Sequence, residues 1–197
     1  MNKALRVLEM STGKDRSLRL LQFLLFTWRI HVGKGKLHEL LSQVISSFST
    51  ARQLLRFGGA LTIAQFLRNS YAKSGPRSLC SFRTLEALIW LVFFAIDHIA
   101  YACKVGVINH AKLNTFVNYW SMQLWLYGDL MGLLGDVSDY YRGVGDKAKL
   151  KLSMVKNGTD LVSCVHFVYP EWLGPEVGGV LGAVTSVAGL TQLWWAL

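Results

Sequence analysis

Leu37-His38-Glu39-Leu40-Leu41-Ser42-Gln43-Val44-Ile45-Ser46-Ser47-Phe48-Ser49-Thr50-Ala51-Arg52-Gln53-Leu54-Leu55-Arg56 is the stretch on which the reading of this chain turns. Placed on a helix at about 100° per residue, Leu37, Leu40, Leu41, Val44, Ile45, Phe48, Ala51 and Leu55 share one face. Ser42, Ser46, Ser49, Thr50 and Gln53 lie opposite, and Arg52 and Arg56 form a basic rim where the faces meet. An apolar face, a small uncharged polar face and basic flanks describe a helix that lies flat among lipid headgroups. The expected membrane-inserting face is Leu37, Leu41, Val44, Ile45, Phe48 and Leu55. A core helix of a soluble bundle uses the same spacing, so the surrounding chain must decide.

The surroundings favour lipid. Of 197 residues, 52% are hydrophobic and only 17% charged, well off the soluble average. Charge is unevenly spread: residues 1–85 carry 14 Lys/Arg against 3 Asp/Glu, whereas residues 86–197 carry 7 against 9, so the net +9 resides in the first half. Between Glu39 and Glu86 there is no acid at all, while Arg52, Arg56, Arg68, Lys73, Arg77 and Arg83 fall in that interval. Each cation near an anionic leaflet contributes roughly 1 kcal/mol and each large apolar side chain buried there up to roughly 1.5–3 kcal/mol, so the apolar face is the larger effect and the charges direct it. No zinc-finger, RNP-type or basic-region pattern accompanies the basic half, which excludes the common nucleic-acid readers. Cys80, Cys103 and Cys164 are odd in number and lack CxxC spacing, as expected of free thiols. The first ten residues are short and amphipathic and do not read as a secretory signal.

Along the chain, residues 3–10 can form two helical turns, which Ser11-Thr12-Gly13 is expected to break before a Leu- and Phe-rich helix running to Ile30. Gly58-Gly59 should interrupt the Leu37 helix, and Ser74-Gly75-Pro76-Arg77-Ser78 reads as a linker. Two hydrophobic spans are expected. The first, Ala87 to Ile108, contains Asp97, His98 and Lys104, a possible buried polar pairing within the membrane. Leu113 to Leu134 repeats apolar residues at three and four as its packing partner, with Asp129, Asp136 and Asp139 read as a solvated helix end. A further helix opens with Lys147 and stops before Pro170. The second span, Val177 to Leu197, is 21 uncharged residues in which Gly178, Gly182 and Ser186 are spaced by four, a candidate self-association face. No HExxH, GxSxG or P-loop occurs, so neither an enzyme, a metal site nor a cofactor is indicated, and no catalytic residue is assigned.

Three landmarks carry a family resemblance. Ser11-Thr12-Gly13-Lys14-Asp15-Arg16 resembles a T-x-G-[RK]-D-[KR] opening, and Ala51-Arg52-Gln53-Leu54-Leu55-Arg56-Phe57-Gly58 resembles an A-R-[KR]-x-x-R-[FL]-[GF] motif. The glycine-rich last helix ending Gln192-Leu193-Trp194 completes the set. In this order they resemble the peroxin-11 family, peroxisomal membrane proteins that elongate the organelle before it divides. The resemblance implies a peroxisomal membrane location, self-association into a homo-oligomer, and work with fission adaptors and a dynamin-type GTPase. The expected architecture is an all-α, membrane-associated helical bundle: a basic amphipathic, membrane-remodelling region over 1–80, then a membrane-embedded region over 81–197 with spans near 87–108 and 177–197. The expected activity is bending of a phospholipid membrane; the alternative is a metabolite pore lined by Asp97, His98 and Lys104.

Overall fold

The computed structural model describes residues 3–74, 81–169 and 172–197, and among these the secondary structure is entirely helical. Among the described residues eight helices follow one another: α1 (Lys3–Glu9), α2 (Ser11–His31), α3 (Lys36–Leu55), α4 (Gly59–Ser74), α5 (Phe82–Lys104), α6 (Ala111–Arg142), α7 (Lys147–Val168) and α8 (Pro175–Ala196). The expected linker residues 75–78 and Cys80 lie outside the described residues.

Local chemistry sets most boundaries. Ser81 caps α5 by accepting the Thr84 amide at 3.2 Å, and His110 Nδ1 accepts the Leu113 amide at 3.1 Å at the start of α6. Gly143, with φ of 68°, ends α6 in the left-handed conformation that a side chain disfavours. The break after α3 falls at Gly58, also left-handed with φ of 88°, as the Gly58-Gly59 pair foretold. Two elements differ from expectation in their bounds. Ser11, Thr12 and Gly13 are already helical, and the chain turns at Met10 instead. Gly13 serves contact, not breakage: a Cβ there would collide with the Val7 carbonyl of α1. The first apolar helix likewise runs Phe82–Lys104, because Ser81 starts it five residues before Ala87 and the backbone departs from helix at Val105.

The chain forms two compact units: residues 1–56 together with 151–197, and residues 57–150. In the second unit α5 and α6 pack as a hairpin, with α4 on α5. Trp90 of α5 lies over Gly128 of α6, where an added Cβ would come within 2.9 Å of the indole, and its ring continues into Phe93 and Phe94. Asp136, expected at a solvated helix end, is buried instead, as is Asp129. Arg83 reaches across from α5 to donate to Asp136 at 2.7 Å and Asp139 at 2.8 Å, with Glu86 at 3.4 Å. The acids near the end of α6 therefore belong to an ion cluster that joins the two helices, a role invisible without Arg83 beside them.

In the first unit α2 is the central element, contacting α1, α3 and α8. Its packing on α8 depends on glycines. A Cβ at Gly182 would run into the Phe23 ring and one at Gly179 into Thr27, so the helices approach closely only because those side chains are absent. α7 also packs on α8 through Thr159, whose hydroxyl lies 2.6 Å from that of Thr185.

Candidate membrane-remodelling site

α3 holds the amphipathic face. Its glycine-bounded start, at Gly35, and its end before Gly58 leave a 20-residue rod lying against α2. The face is divided by that contact. Leu41 is 5% exposed, whereas Leu37 is 45%, Leu40 55% and Leu54 55% exposed. Val44, Ile45, Phe48 and Leu55 are half-buried. Part of the apolar stripe is thus available to solvent or lipid, and part is covered by α2.

The basic rim is also divided. Arg52 turns inward: its Nε donates to Asp15 Oδ1 at 3.0 Å and its Nη1 to Gln22 Oε1 at 2.8 Å. Burial pulls the Arg52 guanidinium down to about 10, against the opposing pull of Asp15. A lowered value in the packed state means that charge is disfavoured there, so the penalty on this contact is present in full below about pH 10 and lifts only above it. Arg56 instead folds back, its Nε donating to the Arg52 carbonyl at 3.4 Å. A second tie is Arg29 of α2, which donates to the Ser42 hydroxyl at 3.2 Å.

These ties explain the two N-terminal motifs physically. Asp15 belongs to the first and Arg52 to the second, and together they form the ion pair that seats α3 on α2. Arg16, the next residue of the first motif, donates to the Gly189 carbonyl of α8.

The other expected sites have definite places. Gly178, Gly182 and Ser186 lie on the inner side of α8: Gly178 faces His166 of α7, Gly182 faces Phe23 of α2, and Ser186 is buried with its hydroxyl donated to the Gly182 carbonyl. The stripe is occupied within one chain and is closed to a second copy in this structure. Asp97 is buried on the side of α5 that also buries Phe93 and Ala100, and its charge acts on Lys104 two turns along. His98 departs from them, as adjacent helical residues must, and meets the Phe57 ring edge-on at 4.5 Å.

Sequence reasoning missed Arg19 and Asp160. Arg19 of α2 donates to the Asp160 carboxylate of α7, and Lys156 Nζ approaches the same group at 3.3 Å. The available signal was Arg19 at the head of the Leu- and Phe-rich run of α2 and Asp160, the one acid of α7, opposite in sign.

Taken together, this is an all-α chain with two helices, Phe82–Lys104 and Glu176–Ala196, long and apolar enough to cross a bilayer. The family model described as Peroxisomal biogenesis factor 11 (PEX11) matches residues 1–151, and the chain belongs to that family. It is accordingly a peroxisome-associated biogenesis factor, of a family of biogenesis factors and not of enzymes. The match takes in both N-terminal motifs, while α8 lies beyond it. No curated protein and no solved structure matches the chain.

Proposed function

We propose that the chain bends and elongates the peroxisomal membrane by laying α3 into one leaflet while α5 and α8 anchor it, promoting proliferation and fission. The observation that carries this reading is the outward edge of α3, where Leu37, Leu40 and Leu54 stand half-exposed, together with the absence of acids from residue 40 to residue 85. A wedge in one leaflet expands it relative to the other, and the bilayer relieves the mismatch by curving. A helix that moves off α2 would submerge Leu41, Val44, Ile45, Phe48 and Leu55 as well, with Arg52 and Arg56 then at the headgroups. Self-association is part of the proposal, through an outward face because Gly178, Gly182 and Ser186 are covered. The fission adaptors and dynamin-type GTPase that the family resemblance implies would act on the tubule so formed.

Full-length protein added to phosphatidylcholine/phosphatidylserine vesicles should draw tubules visible by electron microscopy, and Leu37→Glu with Leu40→Glu should not. Two lost leucines weaken insertion by at least about 3 kcal/mol, or roughly a hundredfold, before repulsion by the anionic surface is counted. Both sites lie in the first turns of α3, where carboxylates favour the helix, so helicity should be unchanged. Tubules from the double variant equal to those of the parent would end the wedge reading.

A further inference from the structure

The polarity of the first unit is inverted relative to a water-soluble bundle. Its buried residues include Asn157, Asp160, Ser163, Thr185 and Ser186, and its outward faces carry Leu21, Leu24 and Trp28 on α2, Val155 and Val162 on α7, and Val180, Val184 and Val187 on α8. In water the arrangement loses twice, burying charge and exposing large apolar side chains. In hydrocarbon it is the arrangement required, since ionised groups must turn inward and pair.

Depth supplies an independent argument. α2 meets α8 at Gly179, Gly182 and Gly189, and α7 meets it at Gly178 and Thr185, so between them the two neighbours flank it from Gly178 to Gly189. That is about 16 Å of rise, roughly half the hydrocarbon thickness. Thr185 lies near the middle of α8, and its partner Thr159 directly precedes Asp160. Whatever depth α8 occupies, the Arg19–Asp160–Lys156 cluster occupies too.

We infer that α2 and α7 lie inside the bilayer beside α8 and present Leu21, Leu24, Trp28, Val155 and Val162 to lipid acyl chains. The inference rests on the reading of α8 as a span. It adds two helices to the intramembrane part that hydropathy alone does not select, because their ionised residues raise the polarity of the sequence while being hidden from lipid. Asp160 is 1% exposed and holds Arg19 and Lys156 together, so the charges reach hydrocarbon as one cluster and not as isolated ions. The outer ends fit the boundary: Lys151 is exposed near the start of α7, and Tyr169 stacks on Trp172 beyond its end at 4.9 Å.

The test is nitroxide labelling of single cysteines at Leu24, Val162 and Val184, with Cys80 and Cys103 replaced by alanine and the fully buried Cys164 retained. The full chain is reconstituted in phosphatidylcholine vesicles, and each label's collisions with oxygen and with a water-soluble nickel chelate are measured. The expected result is high oxygen accessibility and loss of chelate accessibility at all three positions. Chelate access at Leu24 and Val162 with protection at Val184 overturns the inference and leaves the α8 span standing. Access at all three overturns both.

Discussion

Replacing Asp160 by alanine is expected to destabilise the first unit by about 3–5 kcal/mol, the cost of breaking a buried ion pair by removing one partner. Arg19 and Lys156 would lose the carboxylate they share, in a site where that carboxylate is almost wholly enclosed. Against a total stability of about 5–15 kcal/mol for a domain, such a loss is visible as a large drop in the denaturation midpoint of the detergent-solubilised protein. Conversion of the whole cluster to apolar residues, with Asp160→Leu, Arg19→Met and Lys156→Met, should recover most of the stability, because a buried triad and a well-packed apolar replacement are often equivalent. A single Asp160→Ala as stable as the parent would show that the cluster is hydrated and not buried.

Asp15→Ala should act on the neighbouring contact with a different outcome. Arg52 is already held against an unfavourable environment, its guanidinium drawn down to about 10 by burial, and Asp15 supplies the attraction that offsets this. Without the carboxylate, Gln22 alone remains of its two side-chain partners on α2, and the cheapest response is for α3 to leave α2. Amide hydrogen exchange across residues 36–55 should then rise sharply, while exchange in α5 and α6 stays as in the parent. A freed α3 also exposes Leu41, so vesicle tubulation should increase and not fall. Unchanged exchange over α3 would mean that apolar contacts, and not this ion pair, hold the helix in place.

Much of this was legible in the sequence, and the legible part follows a rule. α3, α5, α6 and α8 are each specified by a periodic apolar pattern or an apolar run, and α7 by its lysine-rich opening and the proline after it, and these are local properties. The glycine pair after α3 was equally plain, because a left-handed residue is needed there. What could not be read was the pairing of distant residues. Nothing near Asp160 announces that Arg19, 141 residues earlier, is its partner, nor does the sequence around Asp136 show Arg83 reaching it. The same limit applies to Gly178, Gly182 and Ser186, whose spacing encodes a close approach of helices without saying which helix approaches. Here it is α2 and α7 of the same chain that do so. The candidate site fared likewise. The apolar face of α3 follows from periodicity alone, but its division into an outward edge and a covered centre depends on α2, and the inward turn of Arg52 depends on Asp15.

α3 is the part of the molecule proposed to deform a membrane. The most direct measurement is the length of peroxisomes, imaged by fluorescence, in cells overproducing either the parent or the Leu37→Glu, Leu40→Glu chain at matched levels. Elongated organelles with the parent, and organelles of ordinary length with the variant still located on them, are the predicted result. Equal elongation by both chains would contradict it.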